Sequence, residues 1–278
     1  MTEKRPFAVV TDSTADLPDD WRAQYGIEVV PLKVLFGSET FKDGEDITNA
    51  EFFARLATAS KLPTTSAPSP GEFAEVYQRL ARDYESCISI HLGAQLSATA
   101  EAARVGAQSV EGFRVEVIDS GTVTMPLAFL CRVAAESSTL DDATAAVKER
   151  VPKCRVLALL DTLRYLEMGG RLSKAQAMIG TMLDLKPLLL VKDGEMPKPV
   201  DRVRTRSRAI GRMVEFFRED QPAEYVAVVH AQAPDEAEEV ASRLRAQLPG
   251  QEIPVGQIGS VLGTHTGPKA LALVYIKK

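Results

Sequence analysis

Cysteine is scarce in this chain of 278 residues: Cys87, Cys131 and Cys154 are all it has. They are odd in number, far apart and set among apolar neighbours, with no CxxC spacing. That pattern excludes a disulfide framework and a cysteine metal or redox motif, and reads as reduced core thiols of a cytoplasmic protein. Histidine is as rare. His91, His230 and His265 form no HxH or HExxH spacing, which argues against a histidine metal site. The chain also lacks a GxxxxGK[ST] phosphate loop, a GxGxxG fingerprint and, around Ser97, the glycines of a GxSxG nucleophile elbow. No apolar run approaches the roughly 20 residues that span a bilayer. The opening MTEKRPFAVV has no long apolar segment behind its charges, so no signal peptide is expected. Internal repeats and low-complexity tracts are missing. A net charge of -5 argues against general nucleic-acid binding.

What is present is an ordinary globular composition, 45% hydrophobic and 26% charged, in a chain long enough for two domains. Strand-like and helix-like segments alternate through the first half. Phe7-Ala8-Val9-Val10 predicts a buried strand ending in Thr11-Asp12-Ser13-Thr14. Pro18 opens a short helix and Gly26 stops it. Thr48-Asn49-Ala50-Glu51 and Ser69-Pro70-Gly71-Glu72 have capping-box spacing and each starts a helix. Residues 37–46 read as a polar loop. Strands separated by helices of this length predict a parallel sheet covered on both faces. Pro152 interrupts a helix near 151–155, and the domain boundary is placed there: residues 1–153 and 154–278.

The most informative stretch is 87–108. Cys87-Ile88-Ser89-Ile90 predicts a buried strand, and the alanine-rich 98–108 a helix. Between them, Leu92-Gly93-Ala94-Gln95-Leu96-Ser97 must aim a hydroxyl and free N–H groups at one point, an arrangement at which α/β proteins bind anions. It contains no Lys or Arg, so a carboxylate held by neutral donors fits it. On spacing alone, a plain helix cap by Ser97 is the commoner meaning. Residues 62–70 hold four hydroxyls and three prolines. They read as a stiff loop, blandly at the surface or, more sharply, as hydroxyl donors near the carboxyl end of the sheet.

In the second half, 155–161 predicts a strand, 162–168 a short helix broken by Gly169-Gly170, and 171–182 a further helix. Residues 187–199 read as a hairpin turning at Asp193-Gly194. Arg202, Arg204, Arg206 and Arg208 gather at a helix start, where the dipole disfavours them. They form either a solvated basic face or a site for an anion or acidic partner. The acidic helix expected over 234–248 reads as a solvated face. A lone histidine is more often structural. In Gly263-Thr264-His265-Thr266-Gly267-Pro268, read as a glycine-flanked loop, His265 is also a candidate ligand donor or proton-transfer group.

Six motifs in order resemble one family: Thr11-Asp12-Ser13-Thr14-Ala15-Asp16-Leu17-Pro18, Leu62-Pro63-Thr64-Thr65-Ser66, Leu96-Ser97-Ala98-Thr99, Gly169-Gly170-Arg171-Leu172-Ser173, Val203-Arg204-Thr205 and Gly263-Thr264-His265-Thr266-Gly267-Pro268. From Phe7 to Tyr275 the chain is similar to the DegV family, the bacterial fatty-acid-binding subunits of fatty acid kinase. The resemblance implies an α/β fold with an N-terminal parallel-sheet domain and a C-terminal domain with a mixed sheet. It implies a long-chain fatty acid between the domains, no cofactor and no activity of its own. A separate kinase subunit would phosphorylate the carboxylate to an acyl phosphate for phospholipid synthesis, with transient membrane contact for lipid exchange. By motif, Thr65 and Ser97 would hold the carboxylate, with Thr64, Ser66, Ala98, His265 and Thr266 around it. Arg171, Arg204 and His265 would lie at the phosphoryl-transfer or kinase-docking surface. Near a carboxylate the His265 imidazolium is favoured, which predicts a pKa above about 6.5. The chain departs from the family pattern at Ala98 (commonly glycine), Ala67 (commonly glutamine) and Lys269 (usually a small residue). The alternative is an independent α/β hydrolase or phosphotransferase using Ser97 and His265.

Overall fold

The structure, a computed structural model, describes residues 6–172 and 186–278. The chain opens with β1 (Ala8–Asp12) and α1 (Asp19–Tyr25), the latter stopped by Gly26 in the left-handed region at φ 62°. Then come β2 (Glu28–Val30), β3 (Lys33–Phe36), β4 (Glu39–Lys42), α2 (Asn49–Thr58) and β5 (Thr64–Ser66). α3 (Pro70–Leu80), β6 (Ser86–His91), α4 (Thr99–Gln108), β7 (Arg114–Asp119), α5 (Met125–Ala135) and α6 (Leu140–Arg150) complete the first half. The second half runs β8 (Cys154–Leu159), α7 (Arg164–Met168), β9 (Lys186–Val191), β10 (Lys198–Val203), α8 (Arg206–Glu219) and β11 (Ala223–His230). It ends with α9 (Pro234–Gln247), β12 (Val255–Gln257), α10 (Ser260–Thr266) and β13 (Leu271–Lys277).

The expected helix starts form by the expected chemistry. Thr48 and Glu51 make both bonds of a capping box on α2, and Ser69 and Glu72 do the same on α3, with Pro70 in its first turn. Such reciprocal caps satisfy N–H groups that a helix start leaves without partners.

Three sheets result. The first is parallel, in the order β2-β1-β6-β7. The second has the order β10-β9-β8-β13-β11-β12 and is mixed, because β12 runs parallel to β11 while the other pairs are antiparallel. The third, β4-β3-β5, is small and antiparallel. It corrects two expectations. The polar loop over 37–46 contains β4, and the stiff loop over 62–70 contains β5, paired with β3 at Val34 and Thr65. Threonine suits a half-buried pleated strand, and prolines confined to the flanks leave the ladder intact.

The layers follow from burial. Helices α3 and α4 cover one face of the parallel sheet, with Phe73, Tyr77 and Ala103 buried on Val10 and Cys87. α8 and α9 cover the outer face of the mixed sheet through Ile210, Met213, Phe217, Val240 and Leu244. α5 lies between the two sheets, against β1 and β6 on one side and β8, β11 and β13 on the other. It is accordingly apolar all round, with Met125 through Cys131 buried. The inner faces of both sheets thus share one core. Among the described residues no helix is long and apolar enough to cross a membrane. The helix expected over 171–182 lies almost wholly outside the described residues, as does Ser173.

Candidate functional site

The turn after β6 is fixed by a buried carboxylate. Asp12, at the end of β1, accepts from the Leu92 backbone at 3.0 Å and from the Thr14 backbone and hydroxyl at 3.0 and 2.5 Å. The oxygen that accepts from Leu92, Oδ2, also lies 3.0 Å from His91 Nδ1. The chain of contacts continues from His91 Nε2 to Ser89 Oγ (2.7 Å) and on to the Tyr77 hydroxyl (2.8 Å), all in the core. Farther along, Gly93 N–H donates to Thr122 O and Ala94 N–H to Asp119 Oδ1. The turn is held at three points and delivers Leu96 and Ser97 to the gap between the sheets. Ser97 does not cap α4, whose N-cap residue is Ala98 with no side-chain cap bond. Its hydroxyl pairs with Thr99 Oγ1 at 2.8 Å. A hydroxyl is one donor with two acceptor lone pairs, so it has capacity for another partner.

His265 lies in the last turn of α10, not in the expected loop. α10 is short and its start is buried, so its position depends on what meets it. Asp16 accepts from Gly259 N–H at 2.8 Å and from the Thr124 hydroxyl at 2.6 Å. Asp43 accepts from the Ser260 N–H and hydroxyl at 3.0 and 2.5 Å. Burial pushes the Asp16 carboxyl up to about 8, and the neighbouring Asp43 and Asp12 push in the same direction. Burial raises Asp43 as well. Gly263 lets α10 lie directly on α2, since a Cβ there would sit 2.8 Å from Phe52 and 2.9 Å from Phe53.

His265 Nε2 is 2.9 Å from Thr65 Oγ1. Nδ1 is packed against Gly169, where a Cβ would come within 2.3 Å, and it has no hydrogen-bond partner. The hydroxyls of Thr264 and Thr266 donate back to Ser260 O and Leu262 O, and it is Thr65 and Gly169 that meet the ring. Burial, with the Arg171 charge adding to it, pulls the imidazole down to about 4. Both causes act against the raised pKa expected of this ring beside a carboxylate. Arg171 ties the segments together, donating to Leu96 O at 3.1 Å and Gly169 O at 2.7 Å.

Thr65, Ser97, Arg171, His265 and Thr266 form one end of a cavity of about 830 Å³, counting its open mouth. The remainder is apolar. Leu32, Leu92, Leu96 and Val123 come from the first half of the chain. Val156, Ala158, Leu160, Leu166, Leu189, Val191, Pro197, Val261 and Leu262 come from the second. Small-molecule sites are commonly mostly apolar, with a few placed polar groups. The arrangement suits an elongated apolar molecule with one anionic end.

Other expected site residues stand elsewhere. Thr64 and Ser66 are exposed and outside the cavity lining, because alternate residues of a strand face opposite ways and Thr65 takes the inward position. Ala98 is exposed on the helix start. Arg171 lines the cavity itself. Arg204 is exposed ahead of α8 and outside the lining, and Arg208 is exposed too, while Arg206 is committed to Glu236 at 2.6 and 2.7 Å. A Ser97–His265–acid relay lacks its third member, since no carboxylate meets His265 Nδ1 among the described residues. Nor do the described residues hold a cluster of metal ligands. The apolar lining was not singled out from the sequence. The one available signal was alternation in β8, where Val156, Ala158 and then Leu160 recur at every second position.

Comparison with known proteins bears on the same features. The model of a family described as uncharacterised, the DegV family, matches residues 6–278. A DegV domain-containing protein of Streptomyces coelicolor is 39% identical over 279 residues, 97% of this chain and 98% of that protein. Two solved structures are similar throughout. One, of a DegV family protein from Thermus thermophilus described for its fatty acid binding, has TM-score 0.91 and 31% identity, covering 98% of this chain and 100% of that one. The other, DegV from Bacillus subtilis, described as a fatty acid binding protein, has TM-score 0.90 and 34% identity, covering 99% and 100%.

Proposed function

The chain belongs to the DegV family, and we propose that it binds one long-chain fatty acid between its two large sheets and presents the carboxylate to a separate kinase subunit. The observation that carries this reading is the cavity itself, an apolar slot ending in Thr65, Ser97, His265 and Arg171. An acyl chain of about fourteen methylenes would gain at most roughly 11 kcal/mol gross at ~0.8 kcal/mol per CH₂. Association and ordering offset much of that. The chain supplies affinity, and the polar end decides which way the molecule lies.

Thr65 and Ser97 donate to the carboxylate, and His265 shares it through Nε2. Arg171 supplies positive charge beside it, and among the described residues its hydrogen bonds go to the Leu96 and Gly169 carbonyls. In this reading the protein is a carrier and not itself an enzyme. The partner kinase transfers a phosphoryl group to a carboxylate oxygen, giving an acyl phosphate for phospholipid synthesis in the cytoplasm. Arg204, exposed ahead of α8, faces that subunit. Electrostatic stabilisation dominates phosphoryl transfer, which gives a role to cations near the mouth. Membrane contact for lipid exchange is transient.

The test is a calorimetric titration with palmitate and with its methyl ester. Palmitate should bind at least about tenfold more tightly, because the ester cannot accept charge-assisted bonds. Equal affinities would contradict the proposed orientation.

A further inference from the structure

α10 lies between two cavities. Its last turn reaches the polar end of the slot, where His265 and Thr266 stand in the lining. Its start faces a separate polar cleft beside the ends of β1, β2 and β12, with Ser13, Asp16, Asp43 and Gln257 in its walls. The N-cap residue of α10 is Gly259, which has no side chain to cap the helix. A helix start leaves N–H groups without partners in the helix, and here two carboxylates from the first half of the chain supply the acceptors. A Cβ on Gly259 would stand 3.1 Å from Asp16 Oδ1 and 3.3 Å from Asp43 Oδ2, so both carboxylates converge on one residue.

Asp43 continues to Ser260, whereas Asp16 reaches another helix. Its Oδ1 takes the Gly259 N–H and its Oδ2 takes the hydroxyl of Thr124, the residue that opens α5. Thr124 has φ 58° and ψ -150°. A β-branched residue at positive φ is an outlier that persists only where its surroundings over-determine it. Here the Thr124 N–H donates to Thr14 O at 2.8 Å and its hydroxyl to Asp16 at 2.6 Å. Val123, the residue before it, lines the slot. One carboxyl outside the slot thus joins two helix starts, each leading to residues of the lining.

We propose that Asp16 sets the spacing of the slot's polar end from outside it, positioning His265 and Thr266 through α10 and Val123 through Thr124. The inference rests on the fatty-acid reading above, in which His265 meets the carboxylate. The proton on Asp16 enters the same setting. Burial favours the neutral acid, and the charges of Asp43 and Asp12 add to that, raising the carboxyl to about 8. Asp19, Arg22 and Glu45 are the other charged groups lining the cleft. The neutral acid can keep both bonds, accepting from Gly259 on Oδ1 and donating from Oδ2 to Thr124. Loss of the proton puts a charge beside Asp12 and Asp43, and the carboxylates that meet at Gly259 then repel. Asparagine at this position reproduces the two bonds of the neutral acid and cannot ionise.

The experiment measures Kd for palmitate and for its methyl ester on the wild type, Asp16→Ala and Asp16→Asn, with melting curves to establish that each variant is folded. At about pH 7, Asp16→Ala should weaken palmitate at least about tenfold more than it weakens the ester, and Asp16→Asn should recover most of that loss. Between about pH 7 and about pH 9 the wild type should lose at least about threefold in palmitate affinity, and Asp16→Asn should lose less. The ligand titrates alike with both proteins, so the difference between them belongs to residue 16. If Asp16→Ala does not fold, the pH comparison decides. Equal weakening of palmitate and ester by Asp16→Ala, or the wild-type pH dependence retained in Asp16→Asn, would overturn the proposal while leaving fatty-acid binding in place. A wild-type protein that binds neither ligand would overturn the fatty-acid reading and this inference with it.

Discussion

Ser97 is the residue on which the carboxylate reading depends most. The alternative meaning of its position, a helix cap, is excluded by geometry, since Ala98 is the N-cap and Ser97 pairs with Thr99. Ser97→Ala should therefore weaken fatty-acid binding by about 1.5–3 kcal/mol, as for a bond to a charged group, with little loss of stability. Calorimetry beside urea unfolding checks both halves, and lost stability with unchanged affinity would reverse the assignment. His265 was legible as a candidate, but its electrostatics were not. A sequence shows a histidine between glycines, whereas burial against Gly169 and beside Arg171 is a tertiary fact. The sign of its pH effect follows from that burial. Its folded pKa of about 4 lies below the ordinary value of about 6.5, so the folded state binds fewer protons than the unfolded one between them. The stability it contributes is present above pH ~6.5 and is lost as pH falls toward 4. His265→Gln should lose less stability than wild type on acidification from about pH 7 to about 4.5, measured by urea unfolding. Parallel losses would show that the ring does not titrate in this window.

At the scale of elements, most helices and strands could be read from capping boxes, proline and glycine punctuation and apolar runs. Those signals are local. β4 and β5 were not legible, because each is a short polar strand that exists by pairing with β3. α10 was hidden for a related reason: Gly263 inside it and Gly259 before it look like loop residues, yet close packing on Phe52 and Asp16 requires them. The motif running from Thr11 to Pro18 gains its meaning here. Asp12 holds the Ser97 turn, and Asp16 with Asp43 holds the start of the helix that carries His265. Asp16 has a pKa raised to about 8, so the stability it contributes is fully present below about pH 4 and is lost as pH rises through about 8. Wild-type protein should lose unfolding free energy between about pH 4 and 8, and Asp16→Asn should flatten that fall. A slope that Asp16→Asn leaves unchanged would mean that Asp16 is ionised in the folded protein throughout.

At the scale of the whole molecule, α5 joins the inner faces of two sheets into one core, while the slot beside it stays open between them. The parallel arrangement of the first half followed from strand–helix alternation alone. The slot did not, because its walls are assembled from β8, β9, α10 and the turn after β6, segments far apart in the chain. The central claim is that this slot holds one fatty acid, and native mass spectrometry of the purified protein tests it most directly. The account predicts a population heavier than the apoprotein by the mass of one fatty acid, lost on organic extraction and restored at one per chain when palmitate is added back. Protein that carries no lipid, takes up none when it is added, and instead turns over an ester or a phosphate would contradict it.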